Sequence, residues 1–481
     1  MKSLSLARLK ERNLLRLVLS TAKKRRIKLY LVGGYLRDIL LKREKANPDI
    51  DFSLKKNAIA FAKALQRKIK AGFVVLDKEH GCARLVKRIK DKVYTLDFTD
   101  FRGKTITKDL FHRDFTINAL AIELEKLFLS EDREDAIIDP YKGRADLKSK
   151  IIRMVNKKAF DEDPLRILRA FSLAIIFDFK IDKETLKTIK LKAKGLSRVS
   201  SERIRDELFK ILERPNAFSY LQDLDRLKIL KIIIPEIEVM RGLKQGPYHH
   251  LDVWKHSLET VKQLELLITQ LEDNSEVGDY LNEIISPGRS RRALIKLGAL
   301  LHDTGKPAAL RREDGKIKFH GHERISSDIT ENIAERLKLS NDERDSLDKM
   351  VLWHLRPGYL ADNEEITPRA IFRYFRDTEK ESVSILLISL ADQRATKGPL
   401  TSQESRRHHE KVVLNLIREY FRREKEKKLP RLISGDDLLK KFKLQPSPLI
   451  GKILREIEEL QALGKIKSKK EALERAQKFI Q

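Results

Sequence analysis

Apolar and polar positions alternate in two different rhythms along this chain. From about Lys28 to Leu129, short strand-like runs (Lys28–Val32, Phe73–Leu76, Ala83–Val86 and Val93–Phe98) alternate with stretches of helical spacing, which predicts a mixed α/β unit. Upstream of it, Leu9, Leu14, Leu15, Leu17 and Val18 repeat at helical intervals, predicting a helix that leads straight into the first strand. Beyond the turn-forming run Asp139-Pro140-Tyr141-Lys142-Gly143, nearly everything reads as helix. Gly242–Pro247 and Asp273–Pro287 read as loose connections, the first opening a new module and the second interrupting it. At 481 residues the chain is too long for one core, and about three or four domains are expected. The boundaries fall at 1–150, 151–245, 246–400 and 401–481.

Within the first unit, the break between strand and helix falls on Gly33-Gly34, with Tyr35 to Leu41 continuing at helical spacing. Glycine lets a backbone come close to phosphate oxygens, a helix start offers unpaired N–H groups, and Arg37 adds a cationic fork. Asp49 and Asp51 follow at strand spacing, so both carboxylates point to one face while Ile50 and Phe52 point to the other. Two carboxylates on one face hold hard cations, and Mg²⁺ is usually shared between carboxylates and substrate phosphates. The phosphate cradle and the acid pair therefore explain each other. Asp97, in Val93–Phe98, is a candidate third carboxylate and reads equally well as a strand-end aspartate starting a turn.

Charge then bears on the partner. Lysine and arginine outnumber the acids to give a formal net charge of +29, with 36% of residues charged. Such an excess suits a polyanion, with nucleic acid as the leading inference. An anionic membrane surface and a lysine-rich proteome are the alternatives. Cys82 is the only cysteine, which excludes a disulfide framework and a thiolate metal cluster and fits a reducing compartment. No apolar run approaches a membrane span, and a cytoplasmic protein with no membrane partner is expected.

Two further groups of residues carry chemistry. Asp161-Glu162-Asp163-Pro164-Leu165-Arg166-Ile167-Leu168-Arg169 predicts a helix start with Glu162, Arg166 and Arg169 on one polar stripe, a pattern that in isolation suits an ion-paired surface better than a site. In the later module, His256, His302-Asp303 and Asp392 offer imidazole and carboxylate ligands for a divalent metal, and His322 and His354 could complete a two-metal site that activates water against a phosphate ester. The segment from about Thr401 is helical, basic and poor in core pattern. It reads either as an RNA-backbone grip or as a solvated tail, with a capped helix start at Leu432-Ile433-Ser434-Gly435-Asp436-Asp437-Leu438-Leu439.

With these residues in hand, the chain resembles the bacterial class II tRNA nucleotidyltransferases, the CCA-adding enzyme and poly(A) polymerase family. Gly33-Gly34-Tyr35-Leu36-Arg37-Asp38 with Asp49-Ile50-Asp51 resembles the first motif of that family, and His112-Arg113-Asp114-Phe115-Thr116-Ile117-Asn118-Ala119 the second. Asp139 to Leu147 resembles the hinge motif, Glu162-Asp163-Pro164-Leu165-Arg166 the amino-acid template for the incoming base, and Ser201 to Leu208 the next neck motif; Leu432 to Lys465 is similar to the tail of many members. The resemblance implies a multidomain α+β protein, with a mixed α/β head followed by an all-α neck, an HD domain and a helical tail.

It also implies Mg²⁺-dependent transfer from CTP or ATP to tRNA at Asp49 and Asp51, with Asp97 as a candidate third acid. The nucleotide would be held by Gly33, Gly34, Arg37, Arg113, Asp114 and Asn118, and its base chosen by Asp163 and Arg166 with support from Arg169. In the module resembling HD phosphohydrolases, His256, His302, Asp303 and Asp392 would bind a divalent metal, with His322 and His354 matching the two-metal version. The stretch between Asp97 and Arg113 is short for the family, which suits a version restricted to CC or to the terminal A, and His112 stands where an arginine is common. A hydrolase with a nucleotide-sensing head and a non-catalytic RNA-binding protein are the competing readings.

Overall fold

The structure is a computed structural model and describes residues 11–129, 135–313, 315–426 and 430–480. The described residues form two compact units, one of residues 1–211 with 226–233 and one of residues 212–225 with 234–481. The stretch 151–245, expected to be a single neck region, is therefore divided between them.

The first unit contains a seven-stranded sheet made of β1 (Leu29–Val32), β2 (Asp49–Leu54), β3 (Gly72–Asp77), β4 (Cys82–Ile89), β5 (Lys92–Asp100), β6 (Ala121–Glu123) and β7 (Ile137–Ile138), in the order β3-β4-β5-β2-β1-β6-β7. Only β2 and β5 pair in parallel; the other neighbours are antiparallel. The period-two pattern explains the two faces of this sheet. Ile50, Phe52, Ala83, Leu85, Leu96 and Phe98 point to one side and are buried. Phe98 stacks on Phe52 with ring centroids 4.9 Å apart and meets Phe61 of the helix Ala58–Ile69 at 5.2 Å. That leaves Asp49, Asp51, Arg84 and Asp97 on the other side.

The helix Arg12–Lys24 buries Leu14, Leu15 and Val18 ahead of β1, as its spacing predicts, while Leu17 stays exposed; Leu9 lies outside the described residues. The helix expected to open within Asp161–Arg169 does so only after a break, so Glu162 does not share one continuous helix with Arg166 and Arg169. A short helix, Ala159–Glu162, ends at Asp163, whose backbone is extended (φ −148°, ψ 100°), and a second begins at Arg166 and runs to Phe177. The cause is Pro164, whose ring disfavours the helical conformation in the residue before it.

The second unit is almost wholly helical. The helix Val253–Leu271 packs against Ser382–Ala395, while Arg291–Leu301, His322–Arg336 and Asn341–Leu352 complete the bundle. Asp273–Pro287 is more ordered than its composition suggests. Asn274 caps a helix, Ser275–Asn282, which buries Val277, Tyr280 and Leu281, and the strand Ile284–Ser286 then pairs with Arg289–Ser290. The C-terminal stretch also differs from expectation, because it builds a core of its own from Leu438, Ile450, Ile453, Ile457, Leu460 and neighbours. Its helix Gly435–Phe442 opens on a Ser434 capping box closed by Asp437. No helix among the described residues is long and apolar enough to cross a membrane.

Candidate active site and metal centre

Gly33 begins the first site. Its φ of +75° is a conformation that L side chains rarely adopt, and a Cβ there would stand 2.8 Å from Asp51 Oδ2 and 2.9 Å from Arg113 Nη1. Glycine is what allows the β1 turn, a carboxylate of β2 and the Arg113 guanidinium to converge. These groups line a cavity of about 250 Å³ together with Gly34, Asp97, Asp114, Asn118, Asp163, Arg166 and Arg169. The sheet places the acids: β2 carries Asp51 level with Asp97 of the parallel neighbour β5, and Asp49 lies two residues earlier at an exposed strand start. The surrounding protein raises the Asp51 carboxyl above the usual range, Arg113 pulls it down, and Asp97 and Asp49 push it up again.

The remaining residues are braced from behind. Asp114 is buried and accepts from Phe115 N at 2.7 Å and Asn118 Nδ2 at 3.0 Å, and it pairs with Arg169 Nε at 3.0 Å. Burial opposes ionisation there, but Arg169 and the Asn118 hydrogen bond hold its carboxyl below the usual range. Arg166 donates to the His112 carbonyl at 2.6 Å and to the Ala159 carbonyl at 3.1 Å, which sets the plane of its guanidinium. His112 in turn pairs with Glu162 at 2.9 Å through its ring. Asp163 accepts from Leu165 N at 3.2 Å.

Arg37 departs from the expected role. It is buried, and its guanidinium is engaged by Asp38 at 2.8 and 2.9 Å and by Asn118 Oδ1 at 2.6 Å, over the Phe177 ring. Placed this way it braces Asn118 and does not line the cavity. Arg102 and Arg203 are additions that sequence reasoning missed. Arg102 lines the cavity and Arg203 Nη2 donates to Asp163 Oδ2 at 2.7 Å; Arg203 was visible only as part of the Ser201–Leu208 run.

The second unit gathers His256, His302, Asp303, His322, His354 and Asp392 around one point. His256 Nε2 lies 2.8 Å from Asp392 Oδ1; His302 Nε2 and His322 Nε2 each lie 3.2 Å from an Asp303 oxygen, and His354 Nε2 lies 4.0 Å away. One local device orients three of the rings. His302, His322 and His354 each donate Nδ1–H to the carbonyl three residues earlier, at Ala299, Phe319 and Val351, over 2.8, 2.8 and 2.7 Å. A carbonyl only accepts, so the proton sits on Nδ1 and the Nε2 lone pair faces inward.

Those three Nε2 atoms and both Asp303 oxygens are buried without a well-directed hydrogen bond. Such a convergence of orphaned donor atoms fits a divalent metal. Burial beside His302 and His322 lowers the His354 imidazole to about 3, keeping it neutral, as a ligand must be. Burial opposes ionisation of Asp303, but the His302 and Lys306 charges hold it well below the carboxylate range. Lys306 Nζ, 2.7 Å from Asp303 Oδ2 and 2.6 Å from Gln245 Oε1, and His249, with its ring 4.9 Å from that of His256, complete the surroundings. Lys306 follows Asp303 by three residues and was legible by spacing. Gln245 and His249 gave no signal.

Comparison with known proteins agrees with this layout. Residues 29–153 match the family model of the poly A polymerase head domain, 178–240 that of the "probable RNA and SrmB- binding site of polymerase A", and 253–397 that of the HD domain. The chain is 31% identical over 454 residues to an A-adding tRNA nucleotidyltransferase of Deinococcus radiodurans, covering 92% of this chain and 93% of that one. It is 29% identical over 447 residues to a CC-adding tRNA nucleotidyltransferase of Geobacter sulfurreducens, covering 92% and 90%. Its fold is similar to that of a Thermotoga maritima CCA-adding enzyme solved in complex with tRNA, with a TM-score of 0.62 and 24% identity over 98% of this chain and 96% of that one. The chain is a nucleotidyltransferase and belongs to the tRNA nucleotidyltransferase and poly(A) polymerase family, as a member that carries an HD domain.

Proposed function

We propose that this protein adds C or A, without a template strand, to the 3′ end of tRNA, using CTP or ATP. One observation carries the reading: the Gly33 turn, Asp51, Arg113, Asp163 and Arg166 line the same cavity, so groups suited to a triphosphate and groups suited to a base edge face one space. Gly33 lets the chain approach phosphate oxygens, and Arg113 neutralises their charge. Cytosine and adenine both present an amino donor beside an unprotonated ring nitrogen, the complement of the Asp163 carboxylate and the Arg166 guanidinium. The carbonyls of His112 and Ala159 hold Arg166 in place before the base arrives, so part of the ordering cost is met in advance. Asp49 and Asp51 would hold the divalent cation, Mg²⁺ by its preference for carboxylate and phosphate oxygens, and its charge would be supplied at the α-phosphate during displacement of pyrophosphate.

The relatives named as A-adding and CC-adding, together with the short stretch from Asp97 to Arg113, favour a version restricted to one part of the CCA end. In the second unit, the HD residues would hold a divalent metal for hydrolysis of a phosphate ester, their imidazole-rich set suiting a transition metal. We assign the head to about 1–150, the nucleotide-selecting neck and body region to 151–245, with residues in both compact units, the HD domain to 246–400 and the basic tail to 401–481.

The test supplies tRNAs ending before the first C, the second C and the A with CTP or ATP separately, and reads the added nucleotides. Asp49→Ala/Asp51→Ala should abolish incorporation and leave phosphodiester hydrolysis intact, whereas His302→Ala should do the reverse. Substantial transfer by the head variant would sink the assignment.

A further inference from the structure

Three adjacent strands set one charged residue each, side by side, on the cavity face of the head sheet. Asp97 on β5 is the register partner of Asp51 on β2 and also of Arg84 on β4. Arg84 donates Nε to Asp97 Oδ1 at 2.8 Å and Nη2 to Oδ2 at 2.7 Å, a planar two-point pairing that occupies both carboxylate oxygens. The Asp97 side chain is 18% exposed and that of Arg84 39% exposed. The acid is therefore held in the sheet while the cation lies where solvent can replace it. Asp49 and Asp51 have no comparable fork on them among the described residues.

We propose that Arg84 is a positioning residue that competes with the divalent cation for Asp97. While Arg84 is engaged, the head offers Asp49 and Asp51 alone. When a cation shared with Asp51 takes the Asp97 oxygens, the guanidinium is released and its charge remains on the sheet face where polyphosphate arrives. This rests on the proposed reading of Asp49 and Asp51 as a cation site. A guanidinium serving only to join β4 to β5 has no such consequence, since those strands already pair through the backbone from Cys82 to Ile89.

Calorimetric titration with Mn²⁺ of the full chain decides the matter, the head component being the part of the isotherm that Asp51→Asn removes. Arg84→Gln should tighten that component about tenfold, a free-energy change of ~1.4 kcal/mol. Arg84→Lys, which keeps the charge and loses the fork, should give a smaller gain and guards against misfolding of the first variant. In an Asp97→Asn background, Arg84→Gln should give no gain. Unchanged or weaker Mn²⁺ binding by Arg84→Gln would overturn the proposal, as would a gain of the same size in the Asp97→Asn background, which would mark a general charge effect. If Asp51→Asn removes no component, the reading of the head as a cation site fails, an outcome distinct from both.

Discussion

Arg203 Nη2 donates to Asp163 Oδ2 at 2.7 Å, so the carboxylate that faces the cavity is aimed by a residue 40 positions further along the chain, in the helix Ser201–Leu212. Pro164 has taken the Asp163 backbone out of the helix, and among the described residues the Leu165 N–H is the other donor that orients its side chain. Both partners are partly exposed, so the pair contributes little to stability, about 0.2–1 kcal/mol. Its effect should appear in base choice. Arg203→Ala is expected to lower the ratio of kcat/KM for the preferred nucleotide over UTP or GTP about tenfold, ~1.4 kcal/mol of discrimination, with Tm nearly unchanged. Steady-state kinetics with the four nucleotides measure this ratio, and a ratio equal to that of the unsubstituted protein contradicts the role.

Gly33→Ala tests the cradle directly. The substitution places a methyl group 2.8 Å from Asp51 Oδ2 and 2.9 Å from Arg113 Nη1 at a residue with φ +75°. The backbone strain should cost about 1–2 kcal/mol of stability, and displacement of the Asp51 carboxylate should lower nucleotide incorporation by a factor on the order of 100. Denaturant unfolding and single-turnover incorporation separate the two effects. Loss of stability without loss of rate would mean that the turn serves only folding.

How much of this was legible in the sequence depended on the range of the interaction. Strand parity placed Asp49 and Asp51 opposite Ile50 and Phe52, and the structure agrees because parity is a local property. Asp97 was readable as a candidate third carboxylate from its strand parity, but its position level with Asp51 was not, since the parallel pairing of β2 with β5 bypasses the β3–β4 hairpin and no local pattern encodes it. The bracing role of Arg37 was not readable either, because its acceptor Asn118 lies 81 positions along the chain. Pro164 signalled a helix opening, and the polar stripe drawn from Glu162 to Arg169 crosses the break that it makes at Asp163. In the second unit, residue type picked out the candidate ligands, and the structure brings their side chains together, with orphaned imidazole nitrogens that would be costly to bury without a partner.

Acid should unfold the second unit before it reaches the ordinary carboxylate range. Burial lowers His354 to about 3, and burial with the Lys306 charge lowers His249 to about 4. Their ordinary value is 6.5, so below it the unfolded chain binds protons that the folded chain refuses. Stability from these two groups is fully present above about pH 6.5 and is lost as the pH falls toward 4. His302 has the opposite sign. Burial works against its charge, but Asp303 raises it above 6.5, so it is protonated in both states below that pH and contributes no slope there. Denaturant midpoints of the metal-free protein between pH 7 and 4.5 should fall steadily, and His354→Gln should remove about half of the slope. A flat profile would contradict the buried neutral state of these rings.

Chelation should destabilise the same unit. The Nε2 atoms of His302, His322 and His354 and both Asp303 oxygens are held in place by the surrounding fold, so the site is organised before a metal arrives and binding energy is not spent on ordering it. A metal that binds the folded form alone adds RT ln(1 + [M]/Kd), about 4 kcal/mol at a thousandfold excess over Kd. Removal of metal with EDTA should therefore lower the calorimetric transition of the HD-bearing unit by several degrees and leave that of the head within about a degree when nucleotide is absent. His302→Ala should start from the lower transition and show no further shift with chelator, because the loss of one inward lone pair removes the metal's contribution. An undiminished chelator shift in His302→Ala would place the stabilising metal elsewhere in the molecule.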